Sequence, residues 1–214
     1  MKTSLPIIIL GAGGHAKVLI DALRLQSLEI IAIVDADLNK KGQALMGVPV
    51  VGSDDEVTKY TPQSVRLVNG IGSVGVNQLR RQLFERFKSK GYQFEKVIHP
   101  SATIATDVVL SEGAQIMAGV VVQTGCQIGA NAIINTRASV DHDCQIGNHV
   151  HISPGSVLSG GVFIQENAHI GAGAVIIQGI QIGKNSFVAA GAVVICNVLN
   201  DVTVAGVPAR ELVR

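Results

Sequence analysis

From Ile98 onward every sixth residue is Ile, Leu or Val, through Ile104, Leu110 and Ile116 to Val188 and Val194, without a break. At this chain's aliphatic content such a run has a chance probability on the order of 10⁻⁸, so the C-terminal half is an internal repeat. A period of six matches neither an α-helix nor a flat strand. It fits a prism, in which each hexad supplies one flat side and one corner, and three hexads close a coil. On this geometry the aliphatic anchors point inward at the corners and stack in columns about 4.8 Å apart. A small or modest residue follows four positions after each anchor, as at Ala114, Val120, Cys126 and Ala132. Gly or a polar residue often follows the anchor directly, as at Gly129, Asn135, Gly147, Gly171 and Gly183. Cys126 and Cys144 are one coil apart, so they should share a column as inert core thiols.

The chain ahead of the repeat is chemically different. Residues 1–97 hold 13 Lys/Arg and 9 Asp/Glu, whereas residues 98–214 hold 4 and 7. Both Tyr residues also lie before the repeat. The break near Val97–Pro100 divides the chain into domains 1–97 and 98–214. With 47% hydrophobic and 15% charged residues the chain is not disordered. A net charge of +1 supplies no general attraction to nucleic acid or to an acidic membrane. No apolar run reaches the roughly 18 residues of a membrane span. The opening apolar run leads into a Gly turn rather than a cleavage site, so no signal peptide is expected. Three Cys fit a cytosolic protein better than a disulfide scaffold.

In the first domain Ile7–Leu10 ends in Gly11-Ala12-Gly13-Gly14-His15-Ala16. A helical pattern with Val18, Leu19, Leu23 and Leu25 follows, then a strand at Ile30–Val34 ending at Asp35. Strand, Gly turn, helix, strand and acid form a nucleotide-binding fingerprint. Glycine lets the backbone approach a phosphate, the helix N-terminus favours the anion, and Asp35 could bond a ribose or base. A turn that serves packing alone is the alternative. His15, beside the turn, could contact a phosphate or a sugar. Further strands are expected at Val48–Val51, Leu67–Ile71 and Phe94–Ile98, and a helix over Asn77–Ser89. This is half of a dinucleotide fold, which suits a mononucleotide or a nucleotide-diphosphate sugar.

A reaction that removes a proton near neutral pH needs a base, and His is the side chain best matched to it. His142 sits between Asp141 and Asp143 at a prism corner, where a carboxylate can orient the ring and stabilise the imidazolium. Taken alone, these residues read as a surface histidine paired with a carboxylate or as a catalytic base. His151 lies half a coil further on and should not share a side with His142. His169 lies one coil above His151 and could simply stack on it. A zinc hydratase would need three histidines converging on a metal, with His142, His149, His151 and His169 as candidates. A non-catalytic nucleotide-sugar scaffold is a third class.

The hexads, the ending Ala205-Gly206-Val207-Pro208-Ala209-Arg210, and the segments Gly11–His15, Asn69–Gly72 and Asn135–Cys144 together resemble the hexapeptide-repeat sugar acetyltransferases. That family includes UDP-4-amino-sugar N-acetyltransferases of the bacillosamine type and sialic acid O-acetyltransferases. The resemblance covers essentially the whole chain. It implies an α/β N-terminal half-Rossmann domain followed by a left-handed parallel β-helix, the hand coming from the family alone. It also implies transfer of acetyl from acetyl-CoA to the amino group of a UDP-linked amino sugar, with sialic acid O-acetylation as the alternative and no metal. His142 would be the general base and Asp143 its orienting acid. Gly13, Gly14, His15, Asp35, Ala36 and Gly72 would bind the nucleotide sugar. His151 and backbone groups at Gly160, Ala172 and Ala190 would contact acetyl-CoA. Family sites lie between protomers of a homotrimer, and the charge-poor prism suits such burial.

Overall fold

The computed structural model describes residues 5–73 and 78–212. They fall into two compact units. One runs to Gly72 and includes Gln78–Pro100; the other comprises Ser73 and the chain from Ser101.

In the first unit five strands form one sheet: β1 Ile7–Leu10, β2 Ile30–Val34, β3 Ala44–Leu45, β4 Val48–Gly52 and β5 Arg66–Asn69. Their order is β3-β4-β2-β1-β5. All neighbours are parallel except the β3–β4 hairpin. β1 is fully buried, as its unbroken Ile-Ile-Ile-Leu run demands of a central parallel strand. Helix α1 spans Gly14–Leu25 and buries Ala16, Leu19, Ile20, Ala22 and Leu23, the 3.6-residue stripe read from the sequence. Helix α2 spans Gln78–Ser89. Asn77, its expected first residue, lies outside the described residues. The expected strand at Phe94–Ile98 is reduced to a single bridge from Phe94 to Leu67 and a two-residue strand at Val97–Ile98. β2 and β5 flank β1 on opposite sides, so the chain direction switches beside β1. In open parallel sheets that switch point, at the carboxyl ends of the strands, is where ligands bind.

In the second unit each coil contributes three two-residue strands, one to each of three parallel sheets. Residues pair with those 18 positions on: Val121 with Ser139, Gln127 with Gln145, Ile133 with His151. The last coil is two residues shorter, since Phe187 pairs with Thr203. An antiparallel hairpin of Thr203–Ala205 with Arg210–Glu211 ends the described stack. The anchors from Ile116 to Val194 are all buried, whereas Ile104 and Leu110 are half-buried.

The structure corrects one expectation. The anchors occupy the flat sides, as the second residue of each strand, and the corner comes two and three residues later. In extended chain successive side chains alternate, so the first strand residue faces out and the second faces in. The turn then falls on outward-facing positions, and the small residue four places on points back inside. The second corner residue lies in the left-handed region, as at Gly119 (φ 67°), Asn131 (55°) and Asn167 (60°). That is why Gly and Asn recur there. Arg137 (56°), Asp143 (60°) and His149 (61°) hold the same conformation. Glycines directly after an anchor have another cause: a Cβ on Gly147 would stand 2.8 Å from the backbone nitrogen of Glu166 in the next coil.

Solenoid stability is a sum of coil and neighbour contributions, so an anchor within the stack should matter more than one at its start. Ile152→Ala, at a fully buried site, is expected to cost about 2–5 kcal/mol. The half-buried Ile104→Ala should cost clearly less. Urea unfolding of the two variants, read by circular dichroism, checks the order.

Candidate functional site

The first cluster surrounds the turn after β1. Gly11 has φ 98°, a backbone conformation that L side chains rarely adopt, and a Cβ there would also press on the end of the Ile71 side chain at 2.5 Å, so the turn itself calls for glycine. Gly13 and Gly14 differ: neither would meet any atom within 4 Å. They leave open space at the start of α1, whose N-cap Gly13 offers no side-chain hydrogen bond to the first-turn N–H groups. A helix start without a side-chain cap, beside a bare glycine backbone, suits an anion. Gly72 packs beside His15, where a Cβ would lie 3.3 Å from the His15 Cβ.

Asp35 emerges from the end of β2 and faces the turn. Its Oδ2 accepts from the Ala12 N–H at 2.6 Å and pairs with Lys40 Nζ at 2.9 Å; its Oδ1 accepts from the Asp37 N–H at 2.9 Å. Burial works to raise its pKa, but the Lys40 ammonium and the two N–H bonds outweigh it and hold the carboxyl below its usual value. Asp35 therefore fastens the Gly turn to the end of β2. Lys40, which completes this arrangement, carries no motif of its own in the sequence. Ala36 lies on the rim of a shallow cavity of about 260 Å³, with Leu38, Ser53, Asp54, Asp55 and Arg86. Arg86 pairs there with both aspartates.

The loop after β5 is fixed from beneath. Buried Arg80 donates to the carbonyls of Asn69 at 2.8 Å and Ile71 at 2.7 Å, while Asn69 Nδ2 donates to the Arg80 carbonyl. Burial lowers the Arg80 pKa to about 9, so the guanidinium stays charged at neutral pH.

The second cluster occupies one corner of the prism. His142 and Asp143 are its two residues, and the left-handed backbone of Asp143 turns its carboxylate back onto the ring. His142 Nδ1 donates to Asp143 Oδ2 at 2.8 Å, and the Asp141 carboxylate accepts the His142 backbone N–H at 2.7 Å. Nδ1 thus holds the proton of the neutral ring, leaving the Nε2 lone pair free on a half-exposed imidazole. The Asp143 hydrogen bond, helped by the charges of Asp141 and Asp143, raises the His142 pKa above its ordinary value. Gly125 sits one coil below Asp143, and a side chain there would overlap its carboxylate.

Cys126 and Cys144 lie inside this corner, both buried. Their thiols donate to the carbonyls of Asp141 and Ser159. Burial raises both pKa values, that of Cys144 to about 12, so neither is a nucleophile. Cys196 is exposed.

His151 lies on a different side of the prism from His142, as its half-coil offset implies. It is 7% exposed and its partners are internal. Nδ1 donates to the Ser73 carbonyl at 3.1 Å, and Nε2 is 3.1 Å from the side-chain nitrogen of Asn135. His169 lies one coil above, its ring edge-on to that of His151 at 4.9 Å between centroids, and burial drops its pKa to about 4, which keeps it neutral. His149 is a corner residue bonded to Asn131. Among the described residues no three His, Cys, Asp or Glu side chains are placed to hold a metal ion. Gly160 lies on the His142 corner, whereas Ala172 and Ala190 share a different corner. Neither Asn135 nor Ser73 was legible as a partner of His151, because nothing in a hexad marks them.

Comparison with known proteins follows this division. Residues 6–87 match the PglD N-terminal domain, and residues 125–160 and 161–196 match the bacterial transferase hexapeptide, a model of six repeats. A structure of perosamine N-acetyltransferase from Caulobacter crescentus, in complex with CoA and GDP-perosamine, superposes with a TM-score of 0.92 at 41% identity, covering 98% of this chain and 97% of that one. The acetyltransferase domain of PglB from Neisseria gonorrhoeae, in complex with acetyl coenzyme A, gives 0.90 at 35% identity over 98% and 100%. WeeI from Acinetobacter baumannii gives 0.87 at 30% identity over 98% and 100%. An uncharacterized protein, L142, of Acanthamoeba polyphaga mimivirus is 30% identical over 112 residues, which are 52% of this chain and 21% of that longer protein. The prism is the left-handed parallel β-helix of these enzymes. With a PglD-type N-terminal domain, hexapeptide repeats and whole-length identity of 41% to a sugar N-acetyltransferase, the chain belongs to the hexapeptide-repeat sugar N-acetyltransferase family.

Proposed function

We propose that this protein transfers acetyl from acetyl-CoA to the amino group of a nucleoside-diphosphate-linked sugar, directly and with His142 as general base. The observation that carries the proposal is the Nδ1-anchored imidazole of His142, its Nε2 free at an exposed corner. Nε2 takes the proton that the acceptor amine loses as it attacks the thioester carbonyl. Asp143 keeps the ring in the tautomer that leaves Nε2 unprotonated and stabilises the imidazolium that forms. Acetyl-CoA supplies the activated acyl group. Gly13, Gly14 and the start of α1 would hold the acceptor's phosphates, since their open backbone fits an anion. Ala36 and the cavity beside it would face the nucleoside. His15 and Gly72 border the turn; Asp35 keeps it in shape. Backbone groups at Gly160, Ala172 and Ala190 would hold acetyl-CoA. His151, enclosed by Ser73 and Asn135, would act through Asn135 rather than directly.

Two carriers are supported by different observations. The whole-chain resemblance to bacillosamine-type enzymes favours a uridine diphosphate, and the 41% identical Caulobacter protein, bound to GDP-perosamine, favours a guanosine diphosphate. O-acetylation of sialic acid loses ground beside relatives whose acceptor is an amine. A panel of UDP- and GDP-linked amino sugars and free sialic acid, read by thiol release and mass spectrometry, is expected to show N-acetylation of a nucleotide-linked amine. Without acceptor, no acetylated protein should form, because two cysteines are buried and the exposed Cys196, between Ile195 and Asn197, has no His or acid next to it in the chain to activate it. Turnover of free sialic acid alone would overturn the acceptor assignment.

His142→Ala should lower kcat by about 10²–10⁴, the range of general-base catalysis, while acetyl-CoA still binds. The wild-type rate should fall as pH drops through a His142 pKa above the ordinary value of about 6.5, because protonation removes the base. In Asp143→Asn the bond that raises this pKa is weakened, so the acid limb should move to lower pH. In His142→Ala it should vanish. pH–rate profiles of the three proteins check all of this.

A homotrimer belongs to the same proposal. Val109, Phe163 and Val157 are exposed on outward faces of a unit that carries few charges. Light scattering should give three times the 22.3 kDa chain mass. Phe163→Glu should shift it toward the monomer.

A further inference from the structure

The first residue of each corner is one to which the backbone allows a side chain. From Thr106 to Ala190 these positions hold Thr, Glu, Ala, His, Asn, Pro, Gln and Lys, and a single glycine, Gly160. The backbone does not require that glycine, because Gly160 has no positive φ, unlike Gly161 beside it. The requirement comes from the coil below. A Cβ on Gly160 would stand 2.5 Å from both Cε1 and Nε2 of His142, and 3.1 Å from Cδ2. The edge of the imidazole that carries the free nitrogen therefore lies against the bare Cα of Gly160.

The two residues cannot draw apart. The N–H of Gly161 donates to the His142 carbonyl at 2.8 Å, and the N–H of Gly179 donates to the Gly160 carbonyl at 3.0 Å. Below, the Asp143 N–H donates to the Thr124 carbonyl at 3.0 Å. The ladder fixes the spacing between coils, so a methyl group on Gly160 leaves one escape: the imidazole swings outward and gives up its bond to Asp143.

We propose that Gly160 is a positioning residue, whose missing side chain keeps the His142 imidazole seated on Asp143 with Nε2 at a fixed place over the corner. Together with Gly125, which clears room for the Asp143 carboxylate, it forms a slot that holds the pair from above and below. The kinetic part of this inference rests on His142 being the base. The steric part does not. It also differs from a role for Gly160 as a backbone contact to acetyl-CoA, since alanine keeps the backbone N–H and C=O and would preserve that contact.

The test is Gly160→Ala, measured first without substrate. Proton NMR of the histidine ring signals, with His142→Ala used to assign the resonance, should show His142 titrating at lower pH in Gly160→Ala than in wild type. Thermal melts complete a cycle: Gly160→Ala should lower Tm in the wild-type background and leave it unchanged in the His142→Ala background, where there is no ring to displace. With substrates, kcat should fall about ten- to a hundredfold, the cost of misplacing a reacting group by about an ångström, with the KM for acetyl-CoA little changed. The acid limb of the pH profile should move down with the NMR titration. An unshifted His142 titration overturns the proposal, whatever happens to kcat. So does an equal loss of Tm in both backgrounds. If Gly160→Ala alone fails to fold and the double variant folds, the steric conflict is demonstrated; if neither folds, the proposal is wrong. A wild-type protein inactive on every amino sugar would defeat the catalytic reading, and the NMR titration and the melts would still decide the role of Gly160.

Discussion

The second unit depends on one backbone constraint, the left-handed residue at the second position of every corner from Gly113 to Gly191. Two extended residues make a flat side that places one side chain out and one in. The chain must then bend sharply enough to begin the next side in register with the coil beneath. Only a residue that tolerates positive φ permits this, and Gly, Asn and Asp do so at least cost. Once the corner is set, residues 18 apart face each other, and their N–H and C=O groups pair from coil to coil. The anchors fall into columns that no single coil could bury alone.

The His142–Asp143 pair uses that constraint. Asp is one of the few residues that accepts the corner conformation, and at Asp143 the left-handed backbone also carries the carboxylate back onto its neighbour's ring. No distant element needs to deliver the acid to the base; adjacent residues meet because the corner folds them together. The column supplies what surrounds them. Gly125 and Gly160 leave space on either side, and the buried thiols of Cys126 and Cys144 hold the carbonyls of Asp141 and Ser159 just inside. A repeat that elsewhere only stacks thus becomes, at one corner, a rigid mount for an imidazole.

The hexad period made the coil length, the buried columns and the placing of His151 directly under His169 legible from sequence. It did not reveal where the corners fall. Periodicity reports which residues are buried, and a buried residue can sit on a side or at a corner; the turn shows only in the Gly/Asn pattern three places after the anchor. In the first unit the strand–turn–helix–strand–acid order was readable because each part has a local cause. The engagement of Asp35 by Ala12, Asp37 and Lys40 was not, since it depends on where a loop side chain lands after folding. His151 shows the same limit. Its spacing located it on the prism, but the carbonyl that caps it comes from Ser73, 78 positions earlier and outside the repeat.

A base strengthened by its neighbour gains driving force for proton transfer and loses population of its free form. For His142 in the role proposed above, the balance favours strengthening. An attacking amine becomes acidic only as its bond to the thioester carbon develops, so the base must compete for a proton that a basic nitrogen still holds. Asp143 raises His142 through a bond at Nδ1, the nitrogen remote from the reaction, and leaves Nε2 open. The pair is exposed, so water screens the two carboxylates. Burying the same pair would hold the proton too tightly or force the ring neutral, as burial does to His169. The exposure of this corner is therefore part of how the pair is tuned.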